Sequence, residues 1–148
     1  GFINLPSAVL TLSYTFEDSE TTDPFTGKKR RLHYSTPDYF QVNFRHDVEG
    51  TDFAYGFNAH RRSGRVRQDV SLFEVTNFDI HLGAAFVEYN FTPNVKLRFA
   101  GAHFLNEDRR VFDKIFYEGN IADGVIKRIE VQDWTVDPDY VLSLQATF

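Results

Sequence analysis

Apolar and polar residues alternate one by one along most of this chain, and that alternation predicts strands rather than helices. In "LTLSYTFE", Leu10, Leu12, Tyr14 and Phe16 alternate with Thr11, Ser13, Thr15 and Glu17. In "YFQVNFRHDV", Phe40, Val42, Phe44 and Val48 form one row, interrupted by His46; Tyr39, Gln41, Asn43, Arg45 and Asp47 form the other. "FAYGFNAH" sets Phe53, Tyr55, Phe57 and Ala59 against Ala54, Gly56, Asn58 and His60, and "VKLRFAG" sets Val95, Leu97 and Phe99 against Lys96, Arg98 and Ala100. The closing "DYVLSLQATF" places Tyr140, Leu142, Leu144, Ala146 and Phe148 on one side. Successive side chains of a strand point to opposite faces, so each segment reads as a strand with one apolar face. "FDIHLGAAFVEYNF" changes phase midway, from Phe78, Ile80, Leu82 and Ala84 to Val87, Tyr89 and Phe91. A bulge near Ala84 to Phe86 is expected there, because one inserted residue resets the face. The expectation is an all-β, antiparallel, up-and-down meander of about six strands.

The connections sharpen the picture. "EGTD" between Val48 and Phe53, and "TPN" between Phe91 and Val95, have tight-turn compositions. The connectors Asp18 to Asp38, Arg61 to Asn77 and Asn106 to Asp139 are long and polar. Long and short alternate throughout. A soluble meander has no need of that pattern. Outer-membrane barrels do, with short periplasmic turns and long exterior loops.

Face chemistry points the same way. Gln41, Asn43, Arg45, Asp47, Lys96 and Arg98 make a poor lining for a dry core, where each unpaired charge costs on the order of several kcal/mol. Toward a wet lumen they carry no such cost, with the apolar row turned to lipid. A soluble sandwich or lipocalin-like carrier, with the apolar rows inside, is the alternative from another class.

Composition narrows the classes further. Sixteen Phe, seven Tyr and one Trp coexist with a mean hydropathy of −0.37, so apolar residues segregate to faces rather than forming a uniformly greasy chain. No run approaches the roughly 18 apolar residues of a membrane helix. A net charge of −5 gives no support to nucleic-acid binding. Cysteine is absent, which excludes disulfides and thiolate chemistry. Methionine is absent as well, initiator included, so the chain reads as a segment of something longer.

The ending "YVLSLQATF" resembles the C-terminal assembly signal of bacterial outer-membrane proteins, with a final aromatic and alternating apolar residues before it. Tyr140, Leu142, Leu144, Ala146 and Phe148 carry that resemblance, which implies recognition by the barrel-assembly machinery. The stretch from "LTLSYTFE" to "QVNFRHDV" resembles the late barrel of TonB-dependent receptors. "NVKLRFAGAHFLNEDRRVFD" is similar to that family's penultimate strand, although "HFLNEDRR" departs from its usual Asn-Leu-Phe-Asp-like ending. The resemblance implies that residues 1–148 are the C-terminal segment of a 22-stranded barrel, without the plug and the earlier strands. It also implies a location in the bacterial outer membrane, contact with its lipid, and TonB coupling only through the missing plug. The complete receptor would import a scarce ligand such as an iron chelate (a siderophore), cobalamin or a saccharide. A fragment with open strand edges is expected to self-associate.

Candidate chemistry is sparse. Lys28, Lys29, Arg30 and Arg31 form a basic run in the first long connector, most simply a solvated loop. Arg61, Arg62, Arg65 and Arg67 in "RRSGRVRQD" are the candidates for capturing an anionic ligand. His33, His46, His60, His81 and His103 show no tight metal-ligand spacing, and no metal or cofactor is expected. Asp47, Glu49 and Asp52 flank a turn, where solvated carboxylates are ordinary. No phosphate loop or nucleophile elbow occurs, so an enzyme is not expected. Within the third connector, Val111 to Tyr117 and Val125 to Val131 surround "EGNIADG" and read as a hairpin at the mouth. Counted as spanning strands, they would instead give a complete eight-stranded barrel, an adhesin, anchor or narrow pore.

Overall fold

The computed structural model describes residues 5–78, 80–103 and 110–147 and resolves the alternating segments into twelve strands. They are β1 (Ala8–Phe16), β2 (Thr21–Thr22), β3 (Lys29–Arg30), β4 (Asp38–Asp47), β5 (Phe53–Arg62), β6 (Arg65–Gln68), β7 (Leu72–Phe78), β8 (His81–Thr92), β9 (Val95–Ala102), β10 (Arg110–Tyr117), β11 (Ile126–Trp134) and β12 (Asp139–Ala146). A 3₁₀ turn at Ile121–Asp123 joins β10 to β11, closed by a capping box between Asn120 and Asp123.

Six strands form one antiparallel sheet in the order β1-β4-β5-β8-β9-β12. These are the five strongly alternating segments together with the later part of the phase-changing sixth, and the antiparallel meander is the expected one. The register keeps every apolar row in phase. Leu10 lies opposite Phe44, Phe44 opposite Phe57, and Phe57 opposite Ala85. Val87 lies opposite Phe99, and Phe99 opposite Leu142. Because the side-chain period is two, a slip of one residue at any pair would break this continuous face. β1 pairs only with β4 and β12 only with β9, so the sheet is open at both edges.

The long connectors are not plain loops. The first carries the small β2–β3 hairpin, and the other two supply a four-stranded sheet, β11-β10-β7-β6. The hairpin in residues 110–134 therefore adds no strand to the six-stranded meander. It belongs to the four-stranded upper sheet. His60 of β5 pairs with His81 of β8 in the lower sheet, and Arg65 of β6 pairs with Thr76 of β7 in the upper one. In the upper sheet β7 pairs with β10 and β10 with β11.

One expectation needs correction. "FDIHLGAAFVEYNF" is not a single strand bulged near Ala84 to Phe86. Phe78 ends β7 in the upper sheet, and β8 begins at His81 in the lower one. The irregularity lies nearer the start of β8: Asn58 pairs with Ala84, and the next pair is His60 with His81. A Cβ on Gly83 would stand 2.0 Å from the Asn58 Oδ1, so a side chain there would have to displace the Asn58 amide.

Candidate functional site

The six-stranded sheet has two unlike faces. At its edges both faces are open, as Val9 and Val141 show beside Leu10 and Leu142, so the inner strands decide the matter. There, Tyr55 is 41%, Phe57 38%, Val87 49% and Phe99 50% exposed, with no layer packed over them. Ala54 is the only fully buried apolar residue among those described. On the apolar face, aromatic residues run along the strands, at their ends and, as Phe44, Phe57 and Phe99, at their middles. Tyr14, Phe16, Phe40 and Tyr140 lie at the long-connector end, and Phe53, Tyr55, Tyr89 and Phe91 at the short-turn end. Between them Leu12, Val42, Val87 and Leu142 are interspersed with Phe44, Phe57 and Phe99. Phe53 and Tyr89 are 4.7 Å apart, and Phe99 stacks on Tyr140 at 6.1 Å.

The opposite face is polar and ion-paired. Glu88, 2% exposed, accepts from the Nη1 of Arg45 at 2.7 Å and from the Nη1 of Arg98 at 3.2 Å. Arg45 also reaches Asp47 at 2.8 Å. Both guanidiniums stand over the Phe86 ring, Arg98 at 4.0 Å and Arg45 at 5.7 Å from its centroid. These charges are mutually satisfied, which is what lets Glu88 lose its water. Gly56 makes room for the arrangement: a Cβ there would come within 2.3 Å of the Phe44 carbonyl and 2.8 Å of the Phe86 ring.

All three long connectors meet at one end of the wall, and there the arginine candidates separate. Arg61 sits on β5 opposite Phe40 and lines a cleft with Tyr14, Asp38 and Ser63. Arg67 is held by Asp69 at 2.6 Å, which raises its pKa further. Arg62 and Arg65 do converge, at 3.7 Å and 5.7 Å from the centroid of Phe78. They line a basin of about 430 Å³ with Tyr34, Glu74, Thr76, Phe78, Arg110 and Phe112. Arg65 also donates to the Thr36 hydroxyl at 2.9 Å, and the Tyr34 N–H donates to the Val66 carbonyl at 3.1 Å, which seats the first connector on the edge of β6. Among the described residues no three His, Asp or Glu side chains are grouped to hold a metal ion.

Sequence reading missed three contributors. Arg110 belongs to "RVFDKIFY", where Arg110, Phe112, Lys114 and Phe116 alternate on one face; that spacing was the available signal. Glu88 was available as the one acidic residue of β8 opposite Arg98. Tyr34 arrives only through loop packing, which no local pattern announces. Of the residues in which the sequence suggests an assembly signal, Tyr140, Leu142, Leu144 and Ala146 lie on exposed β12, each opposite a β9 residue on the shared face, while Phe148 lies outside the described residues. No family model, curated protein or solved structure matches the chain.

Proposed function

We propose that this chain is a stretch of outer-membrane β-barrel wall, of the TonB-dependent receptor kind, serving the import of a scarce ligand. The observation that carries the reading is the pairing of an uncovered apolar face with an ion-paired polar face on one continuous sheet. A continuous exposed face of aliphatic and aromatic side chains suits hydrocarbon. Grooves on that face, one lined by Leu10, Phe44 and Phe57 and another by Val87, Phe99 and Tyr140, suit acyl chains. The Arg45–Glu88–Arg98 cluster suits a wet lumen or a polar plug. Both open edges suit further strands, because every backbone group in lipid must be paired. A lipocalin-like carrier would need the apolar rows enclosed, and a complete eight-stranded barrel would need residues 110–134 in the main sheet; neither suits this topology.

The absence of cysteine makes the test clean, since each introduced thiol is the only one. The chain is refolded into phosphatidylcholine vesicles with spin labels at Leu12→Cys, Leu142→Cys, Gln41→Cys and Ser143→Cys. The first two are expected to be reached by oxygen dissolved in the bilayer, the last two by a water-soluble nickel chelate. A chain that ignores vesicles and remains a compact monomer without detergent would overturn the reading.

A further inference from the structure

We infer that Arg61, with Tyr14 and Phe40 beside it, seats the phosphate of an anionic lipid headgroup whose acyl chain lies down the apolar face. The site deepens the barrel-wall reading and rests on it, because only a face turned to hydrocarbon brings a lipid there.

The observation is a cation on the apolar face. In the six-stranded sheet the lysines and arginines are Arg45, Arg61, Arg62, Lys96 and Arg98. Arg45 and Arg98 meet Glu88 on the polar face. Lys96 shares that face with Arg98, and Arg62 lies opposite Tyr39 of the same polar row. Arg61 alone belongs to the apolar row, two residues beyond Ala59 and four beyond Phe57 on β5. It is exposed, and among the described residues no hydrogen bond or ion pair engages its side chain.

Position makes that charge tolerable. A guanidinium is costly at the bilayer midplane and cheap at the interface, where its stem lies along apolar surface and its head reaches phosphate. Arg61 is the last but one residue of β5, at the end where the long connectors leave.

Its neighbours complete the seat. Tyr14 lies opposite Phe40 and Phe40 opposite Arg61, so the three form one rung about 10 Å wide across adjacent strands. With Asp38, Arg62 and Ser63 they line a cleft of about 290 Å³. The Asp38 carboxylate accepts from the Tyr14 hydroxyl, and the Ser63 hydroxyl bonds the Asp38 backbone. The Arg61 donors are thus left for a ligand. The next rung inward is Leu12, Val42 and Ala59, and the one after it is Leu10, Phe44 and Phe57. Ala59 ends at its Cβ, so the face is low directly inward of Arg61, and the groove lined by Leu10, Phe44 and Phe57 follows.

That order of surfaces selects an amphiphile. The planar fork of Arg61 matches paired phosphate oxygens, and the apolar rungs match an acyl chain. A zwitterionic lipid brings its own cation to its phosphate, so a lipid of net negative charge gains more from Arg61.

The test puts the chain's sole tryptophan beside the site. Phe40→Trp in a Trp134→Phe background places an indole next to Arg61, and Phe53→Trp in that background places one at the opposite end of the same face. Each chain is refolded into phosphatidylcholine vesicles containing brominated phosphatidic acid or brominated phosphatidylcholine, whose bromines quench tryptophan on contact. Beside Arg61 the phosphatidic acid is expected to associate about fivefold more strongly than the phosphatidylcholine, and at Phe53 the two should be equal. Arg61→Gln should erase the preference and Arg61→Lys should keep part of it. Arg67→Gln, on β6 and paired with Asp69, should leave it unchanged. Asp38→Asn should raise it, a gain that a misfolded chain cannot mimic. Equal association of both lipids beside Arg61, or a preference that survives Arg61→Gln, would overturn the headgroup site and leave the wall reading standing. Loss of the preference on adding inorganic phosphate at constant ionic strength would assign the cleft to a dissolved anion and overturn the lipid version. No quenching by either lipid at either position would sink the wall reading and the site with it.

Discussion

Asp23, in the first long connector, accepts a hydrogen bond of 3.0 Å from the Nε2 of Gln68, which lies in the second connector on β6. Asp23 is 1% exposed and also accepts from the Arg30 Nε at 2.8 Å, the Thr26 N–H at 2.8 Å and the Phe25 N–H at 3.0 Å. One carboxylate therefore closes the β2–β3 hairpin and ties it to the edge strand of the upper sheet. The Tyr34–Val66 and Arg65–Thr36 hydrogen bonds complete that tie. Through them the first connector brings Tyr34 to the arginine basin.

The first prediction concerns acid. Burial pushes the Asp23 carboxyl up, but the combined hydrogen bonds from Arg30, Thr26 and Phe25 outweigh it and lower the pKa from 3.8 to about 2. The folded value lies below the unfolded one, so the stabilisation is fully present above about pH 4 and lost as pH falls through about 2. A carbon-detected NMR titration of the Asp23 carboxyl should show its midpoint near the lower value, with the Thr26 amide losing exchange protection over the same range. A midpoint near 4 would dissolve this account of the latch.

A second prediction follows from the Arg45–Glu88–Arg98 cluster. Removing the charge of Glu88 leaves two guanidiniums facing one another over Phe86. Breaking a buried pair costs about 3–5 kcal/mol, but both arginines are some 40% exposed, so water recovers part of it. Glu88→Gln should cost roughly 2 kcal/mol in denaturant unfolding of the vesicle-inserted chain. Arg98→Ala should cost about half as much, because Arg45 still answers Glu88. Equal costs for the two would mean that the cluster does not act as a shared clamp.

Gly56→Ala supplies the third. Its new methyl group would meet the Phe44 carbonyl oxygen at 2.3 Å, and a backbone atom held in a strand pair cannot step aside as a side chain can. The expected cost is about 2 kcal/mol or more, and trimming the ring with Phe86→Ala should not recover it. Full recovery in the double variant would place the crowding on the ring and not on the strand.

How much of this was legible beforehand depended on how far apart the interacting residues lie in the chain. Leu12, Phe44, Phe57 and Leu144 announce their face through their immediate neighbours, because the period of a strand is local. So the six-stranded meander could be read from the sequence, as could the short turns. Of the upper sheet, the β10–β11 hairpin was legible in Val111 to Tyr117 and Val125 to Val131, whereas β6 and β7 were not. Arg65–Gln68 is only four residues long, and Leu72–Phe78 takes its place by pairing with β10, more than thirty residues away in the sequence. "FDIHLGAAFVEYNF" misled for a related reason: a change of sheet and a bulge both appear as a phase change in one dimension. Of the four arginines in "RRSGRVRQD", two reach the basin. The turn at Ser63 and Gly64 and the local Asp69 decide which, and neither is visible as a spacing.

The last prediction sets two neighbouring residues of β12 against each other. Leu142 and Ser143 share a strand and an exposed edge, and they differ chiefly in the face they occupy. Leu142 lies opposite Phe99 on the apolar face, and Ser143 lies opposite Arg98 on the polar one. If the apolar face meets hydrocarbon, Leu142→Arg should cost about 2–4 kcal/mol in vesicle refolding, the penalty for an arginine near the bilayer midplane. Ser143→Arg, turned to water, should cost under about 1 kcal/mol even beside Arg98, because exposed like charges are screened. In detergent-free solution a strand open to water on both faces would make the two substitutions equivalent. The contrast between them, measured in the same vesicles, reads the orientation of the wall directly. Equal and small effects in lipid would mean that the face carrying Leu142 never meets the bilayer.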